Sequence, residues 1–125
     1  MEVTVQRALG VDRTIDITTI GRQSGSPRRI ETWFYRAGEK IVLTGSPGKR
    51  DWYANLMINP SFTFHLKKST VADLPATARP VTEERERRRI LSEIVADLNQ
   101  PDSLDAWIAG SPLVEISFTN GRDGG

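Results

Sequence analysis

The chain has 125 residues, of which 38% are hydrophobic and 26% charged, a composition typical of one globular domain rather than of a disordered segment. It has no cysteine and a formal net charge of only +1, which excludes disulfides and thiolate chemistry and gives no reason to expect a nucleic-acid partner. No apolar run approaches the ~20 residues of a membrane span and no signal peptide is recognisable, so we expect a cytoplasmic protein without a transmembrane segment.

Hydrophobic periodicity predicts several strands and three helices in chain order. Residues 14–20 alternate apolar and polar side chains, with Ile15 and Ile17 on one face, as in a half-buried strand. An apolar stripe at helical spacing, preceded by Thr82 as the expected N-cap, predicts the longest helix. The predicted strands are 14–20, 30–36, 40–44, 61–67, 75–81 and 113–118, and the predicted helices are 49–58, 82–99 and 103–109.

The order of these elements favours an antiparallel barrel. Residues 30–44 are expected to form a hairpin that turns at Ala37-Gly38. Because few strand–helix–strand crossovers are available, a doubly wound parallel sheet is disfavoured. We therefore predict a mainly β, α+β domain over residues 1–125, a small closed or split antiparallel barrel with attached helices, in which residues 1–12 and 120–125 are loosely ordered.

Two loops could hold an anionic ligand. Residues 21–29 contain three arginines, two serines and two glycines between two predicted strands. Residues 45–50, Gly-Ser-Pro-Gly-Lys-Arg, lead directly into a predicted helix N-terminus, where unbonded N–H groups and the helix dipole attract anions. Neither loop has the spacing of a P-loop or of a dinucleotide-binding motif. Residues 21–50 carry seven basic and two acidic side chains, so we expect the two loops to form opposite walls of one site for a small anion.

Residue types that commonly carry catalysis are scarce. The only histidine, His65, lies on the polar face of the strand 61–67, where a surface or interface position is expected. Without cysteine or a second histidine, a zinc site or a nucleophilic triad is not predicted, and no metal site is expected. If the chain is an enzyme, a cofactor is expected to supply its reactive chemistry, and no catalytic side chain is assigned.

Three motifs in the same order resemble those of the deazaflavin (F420)-dependent nitroreductase family. They are Thr-Thr-x-Gly-Arg-x-Ser-Gly-x-Pro-Arg at 18–28, Ser-x-Gly-Lys at 46–49 and Trp-Tyr-x-Asn-Leu-x-x-Asn-Pro at 52–60. The family belongs to the flavin/deazaflavin oxidoreductases, which are relatives of the pyridoxamine-phosphate oxidases (PNPOx-like) with an FMN-binding split-barrel fold. The sequence departs from the family pattern at Gln23, where Lys is usual, in a shorter loop between Thr44 and Trp52, and in lacking a tyrosine-rich C-terminal wall.

The resemblance implies an oxidoreductase that uses coenzyme F420. It places the phosphate and oligoglutamate tail of the coenzyme near the two loops, with close backbone approach at the glycines and two residues of the following helix near the same groove. The implied cofactor-binding residues are Arg22, Gln23, Ser24, Gly25, Arg28, Ser46, Gly48, Lys49, Tyr53 and Asn55. The implied reaction is hydride transfer to a small quinone-, nitro- or enone-type acceptor.

Two other functions remain open from the sequence. The first is an FMN-binding oxidoreductase of the same fold, since Gln23 leaves one cation fewer for a polyanionic tail. The second is a non-catalytic split-barrel protein that binds haem, a fatty acid or another apolar ligand. Oligomeric state is also open between a monomer and a homodimer.

Overall fold

Seven antiparallel strands form one curled sheet in the computed structural model, which describes residues 1–119. The strands, in the sheet order β2-β1-β5-β6-β7-β4-β3, are β1 Thr14–Ile20, β2 Pro27–Trp33, β3 Tyr35–Ala37, β4 Lys40–Thr44, β5 Ser61–Leu66, β6 Ala72–Pro80 and β7 Leu113–Phe118. The helices are α1 Val3–Val11, α2 Asp51–Ile58, α3 Glu84–Asp97 and α4 Leu104–Gly110. Among residues 1–119, no helix is long and apolar enough to cross a membrane. The loose order expected for 120–125 falls outside the described residues.

Phe34 closes the sheet on itself. Strands β2 and β3 are separated by this one residue, yet they lie at opposite edges of the sheet, so the sheet must curl until its two edges meet. The backbone N–H of Phe34 donates to the Arg13 carbonyl at 3.0 Å, and its buried ring packs edge-on against Phe64 with ring centres 5.2 Å apart. The curled antiparallel sheet with attached helices confirms the predicted split barrel.

The same closure corrects the hairpin predicted over residues 30–44. Only Tyr35–Thr44 forms a hairpin, with Ala37 opposite Lys40. Residues 30–33 belong to β2 and pair with β1, where Ile30 lies opposite Ile17. The run of β-forming residues is continuous in sequence, but the chain changes its pairing partner at the buried Phe34.

The main core fills the inside of the curled sheet. Alternation along β1 and β5 turns the large apolar side chains inward, and α1 and α2 add apolar side chains at helical spacing. The buried set includes Ile15, Ile17, Phe62, Phe64, Leu66, Val5, Ala8, Leu9, Trp52 and Leu56. Residues 1–12 were expected to be loosely ordered, and the structure corrects this: their i, i+3, i+4 spacing of Val5, Ala8 and Leu9 packs α1 into the core.

A second core joins α3 and α4 to the β3–β4 side of the sheet. The predicted apolar stripe of α3 is buried there with Trp107, which confirms the long helix and the short one near 103–109. The expected Thr82 cap is wrong. The N-cap is Glu83, whose carboxylate accepts hydrogen bonds from the backbone N–H groups of Arg85 at 3.0 Å and Glu86 at 2.9 Å. A carboxylate at this position also suits the positive end of the helix dipole.

His65 is buried, which corrects the surface or interface position expected for it. Only 6% of its surface is exposed, because side chains of the neighbouring strands β1 and β6 flank its ring. Its Nδ1 lies 2.7 Å from a carboxylate oxygen of Asp73, and its Nε2 lies 2.7 Å from the hydroxyl of Thr18. The polar groups therefore tie three neighbouring strands together across the outer face of the sheet.

Candidate cofactor site

Residues 21–26 form a compact turn between β1 and β2. The Gly21 N–H donates to the Ser26 carbonyl, and the Gly25 N–H donates to the Gly21 carbonyl, both at 2.8 Å. The hydroxyl of Ser24 accepts from the Ser26 N–H at 3.1 Å and lies 3.4 Å from a guanidinium nitrogen of Arg28. The turn thus places a hydroxyl and a guanidinium together at the start of β2.

Arg22 is held by α2 rather than by its own loop. The amide oxygen of Asn55 accepts from the backbone N–H of Arg22 at 3.0 Å and from its Nη1 at 2.9 Å. The second guanidinium nitrogen lies 3.3 Å from the carboxylate of Asp51, whose side chain is 92% exposed. Asn55 also donates to the buried Thr19 hydroxyl at 3.2 Å. Asn55 was expected to reach a ligand, but its polar atoms bind the protein, so it orients Arg22.

The loop 45–50 is shaped by Arg50 and by the end of α4. The Nη2 of Arg50 donates to the Ser46 carbonyl at 3.0 Å, so the guanidinium lies inside the turn. Gly48 has a φ of +139°, and a Cβ added there would lie 3.1 Å from Arg50 Nη1. The Gly48 N–H donates to the Gly110 carbonyl at 3.1 Å. The exposed Lys49 side chain therefore projects from a backbone that is fixed by Gly110 before it and by Arg50 after it.

Two adjoining cavities lie between these loops. The larger, about 1000 Å³, has Gly48, Lys49 and Tyr53 among its lining residues, together with residues 108–112 and part of α3. The smaller, about 610 Å³, is lined by the 21–24 turn, Arg28 and the first turns of α2. Arg22 and Asp51 line both cavities.

Eight of the ten predicted residues line these cavities. Arg22 lines both; the smaller cavity has Gln23, Ser24, Arg28 and Asn55, and the larger has Gly48, Lys49 and Tyr53. Gly25 and Ser46 line neither. The Gly25 N–H donates to the Gly21 carbonyl within its own turn, and the Ser46 carbonyl accepts from Arg50. The two loops were expected to form opposite walls of one site. In the structure they line two neighbouring chambers, and Arg22 lines both.

The far wall of the larger cavity contains residues that the sequence reasoning did not identify. Arg87 of α3 donates to four backbone carbonyls, those of Val81, Trp107, Ile108 and Ser111, at distances from 2.7 to 3.2 Å. Burial lowers the pKa of this guanidinium, although it stays charged at neutral pH. Arg87 occupies the i position of a stripe that continues at i+3, i+4 and i+7 with Ile90, Leu91 and Ile94. An arginine in line with an apolar stripe is the pattern in the sequence that could have indicated a partly buried role for Arg87.

Ser111 also belongs to this wall. Its hydroxyl oxygen is buried and has no hydrogen-bond partner within residues 1–119. Because buried polar atoms are nearly always satisfied, such an atom beside a cavity is a candidate ligand contact. Nothing in the sequence around Ser111 distinguished it from an ordinary residue before a strand.

The charge and polarity of the two chambers suit an elongated anion with a flat apolar part. Of three cations around the chambers, Arg22 lines both, Arg28 lines the smaller one and Lys49 lines the larger one. The larger chamber adds the half-buried Tyr53 and Ile108 as apolar surface. No group of three or more acidic or histidine side chains arranged to hold a metal occurs among residues 1–119.

Several solved structures with different names have the same fold as this chain. A conserved hypothetical protein from Mycobacterium tuberculosis is 20% identical, with a TM-score of 0.75 over 96% of this chain and 81% of its own. A candidate pyridoxamine 5′-phosphate oxidase from Listeria innocua is 14% identical, with a TM-score of 0.70 over 97% of both chains. An F420H2-dependent reductase, FDR-A, is 20% identical, with a TM-score of 0.58 over 85% of this chain and 95% of its own. These likenesses establish the PNPOx-like split-barrel fold.

The family is shown by a sequence match rather than by the fold. The family model for F420H2-dependent quinone reductases matches residues 1–107, which include every strand except β7 and both loops of the candidate site. The matched enzymes are oxidoreductases that depend on F420, in agreement with the family resemblance of the three motifs. The protein belongs to the F420H2-dependent quinone reductase family.

Proposed function

We propose that this protein binds coenzyme F420 across the two chambers and reduces a small quinone-, nitro- or enone-type molecule. The observation that carries the proposal is the position of Arg22. It lines a polar chamber with the rest of the first basic loop, and a larger, partly apolar chamber with Gly48 and Lys49 of the second. An elongated cofactor with an anionic tail and a flat ring system needs both kinds of surface. Family membership supports the same cofactor.

The anionic portion of F420 would be held by one cation that the protein has already oriented, Arg22, and by a second, Lys49, whose backbone is fixed. Arg22 is fixed by Asn55, and Lys49 projects from a loop fixed by Arg50 and Gly110. Preordered donors lose less conformational entropy when a ligand arrives, so their hydrogen bonds contribute more to affinity. Gln23, where the family usually has Lys, lines the smaller chamber and can donate hydrogen bonds from its amide without adding charge.

The ring system would lie in the larger chamber, against Tyr53 and Ile108. Reduced F420, when bound, supplies the hydride. The protein's contribution is to bind and orient both partners and to exclude water from the chamber, which can provide a large part of a rate enhancement without an acid–base pair. The unpartnered hydroxyl of Ser111 is buried in this structure, and it would donate to an oxygen of a molecule in this chamber once its side chain turns toward the chamber.

The alternative of a haem-binding protein is disfavoured by His65. It is the only histidine, the chain has no cysteine, and both imidazole nitrogens of His65 are engaged within the sheet. An axial histidine ligand would require breaking one of these contacts.

We further propose that the enzyme acts in the cytoplasm, which its lack of cysteine suits, and that it is a monomer or a homodimer. Cell fractionation tests the location, and light scattering tests the oligomeric state.

The test is a comparison of cofactors with the purified protein. We expect F420 fluorescence to be quenched on binding, whereas FMN gives little response at the same concentration. Tight FMN binding without any response to F420 would overturn the proposal in favour of the FMN-dependent alternative. Oxidation of F420H2 is then followed with a benzoquinone, a nitroarene and a cyclic enone in separate reactions, and the largest kcat/KM identifies the acceptor class.

A further inference from the structure

The loop that carries Lys49 rests on the C-terminal end of α4. The Gly48 N–H donates to the Gly110 carbonyl at 3.1 Å, which joins the loop to the last residue of that helix. Pro47 packs directly on Gly110, because a Cβ added to this glycine would lie 3.2 Å from the Cβ of Pro47. The position of the loop therefore depends on where the end of α4 lies.

Arg87 fixes the end of α4. Its Nε donates to the Ile108 carbonyl at 2.9 Å, and its Nη2 donates to the carbonyls of Trp107 at 3.2 Å and Ser111 at 2.7 Å. These carbonyls lie at the C-terminus of α4, which carries the negative end of the helix dipole, and the Trp107 carbonyl also accepts from the Ser111 N–H at 2.9 Å. Its Nη1 donates to the Val81 carbonyl at 2.8 Å, which ties the same guanidinium to the segment before α3.

Arg87 makes no ion pair within residues 1–119, unlike Arg79 and Arg88, which bind carboxylates. A half-buried arginine that donates hydrogen bonds to four carbonyls is suited to holding the backbone in one place, because the guanidinium group is rigid and planar. Lysine keeps the charge but offers three donors from one atom, so it cannot span the same carbonyls.

We propose that Arg87 is a positioning residue for cofactor binding, which acts through the end of α4 and Gly110 to hold Lys49 at the larger chamber. The inference rests on the proposed function for the identity of the ligand. The contacts on which it depends, from Arg87 to α4 and from Gly110 to Gly48, exist without any ligand.

The first test displaces the loop without removing a charge or a hydrogen-bonding group. Gly110→Ala adds a methyl group against Pro47 and should displace the loop that carries Lys49. We expect the Kd for F420 to rise about tenfold, because losing one charge-assisted contact weakens binding by about that factor. The matched control is Gly10→Ala, a helical glycine with nothing within 4 Å of the added Cβ, and it should leave the Kd unchanged. Equal affinity of Gly110→Ala and the wild-type protein would overturn the inference.

The second test asks whether Arg87 acts through Lys49. Arg87→Lys should raise the Kd for F420 about tenfold in the wild-type background, and by less than about threefold in a Lys49→Ala background, where the contact is already lost. Arg89→Lys, two residues along the same helix and exposed, is the control. Equal effects of Arg87→Lys in both backgrounds would mean that Arg87 does not act through Lys49. Affinities are measured well below the melting temperature of each variant, so that global stability does not enter.

A third measurement separates this inference from the proposed function, because it needs no cofactor. Hydrogen exchange of the Gly48 amide in the ligand-free protein should be about tenfold faster in Arg87→Lys, while the Gly21 amide, bonded to Ser26 in the other loop, exchanges as in the wild type. Unchanged exchange at Gly48 would contradict the inference. If the wild-type protein binds no F420 but exchange at Gly48 responds to Arg87→Lys, then only the proposed function is wrong.

Discussion

The amide oxygen of Asn55 accepts two hydrogen bonds from Arg22, one from its backbone N–H at 3.0 Å and one from its Nη1 at 2.9 Å. One buried side chain of α2 thus fixes both the backbone and the charged group of a residue 33 positions earlier. This contact joins the β1–β2 turn to the helix that begins after the second basic loop. The arginine that it orients lines both candidate chambers.

Asn55→Ala should destabilise the protein by about 1–3 kcal/mol, because it removes the partner of the partly buried Arg22 N–H and of the buried Thr19 hydroxyl. The measurement is the free energy of unfolding from urea denaturation. Met57→Ala, at a more exposed position of the same helix, is the control and should change stability by less than about 0.5 kcal/mol. Similar losses in both variants would argue against a special role for Asn55.

Lys49→Ala and Arg22→Ala should each weaken F420 binding by about ten- to a hundredfold, the value of one charge-assisted contact to an anion. The Kd is read from fluorescence quenching, with circular dichroism as the check on folding. Lys68→Ala removes another exposed cation, from the turn between β5 and β6, and should leave the Kd unchanged. Wild-type affinity in both site variants would place the anion elsewhere on the protein.

Glu83→Ala should cost about 1 kcal/mol of stability, because the carboxylate of Glu83 accepts from two N–H groups at the start of α3. Thr82→Ala should have little effect, since the Thr82 hydroxyl makes no hydrogen bond within residues 1–119. Thermal unfolding of both variants distinguishes the two caps. A larger loss in Thr82→Ala than in Glu83→Ala would restore the cap expected from the sequence.

Glu115 should make stability fall in acid. A hydrogen bond from Arg79, with a further one from Lys40, lowers the pKa of this carboxyl below its usual value of 4.5. The unfolded chain therefore binds the proton more readily, so the stabilisation is complete above pH 4.5 and is lost as the pH falls through the lower folded pKa.

The measurement is the free energy of unfolding between pH 7 and pH 3. We expect Glu115→Gln to be less stable at neutral pH and to lose less stability than the wild type below pH 4.5. Glu39→Gln, in the exposed turn between β3 and β4, should keep the wild-type slope. An identical acid slope in Glu115→Gln would show that Glu115 does not contribute to this dependence.

Much of the fold could be predicted because its signals are local. The alternation around Ile15 and Ile17 gave β1 with its observed bounds, and the stripe from Ile90 to Val95 gave the buried face of α3. The basic loops were also visible as composition, and eight of the ten residues implied by the family resemblance line the two chambers. Their role in binding stays a prediction.

The remaining features depend on partners that are distant in sequence. A β-forming run from Ile30 to Arg36 contains no signal that its pairing changes at Phe34, since that change depends on where the opposite sheet edge lies. The polar face of β5 was correctly assigned, but burial of His65 results from the strands on either side. Asn55 was expected to face a ligand because helical periodicity gives a direction and not the neighbour that lies there.

The sequence by itself determined most of the strands and helices, with α1 as the exception, together with the faces that are apolar and the loops that are rich in cations. Each of these properties depends on residues that are close together in the chain. The tertiary structure alone decided that the sheet closes at Phe34 and that Asn55 and Arg87 are used internally to orient Arg22 and the end of α4. Hydrogen bonds and burial in a closed sheet join residues far apart in the chain, and no local pattern specifies those partners.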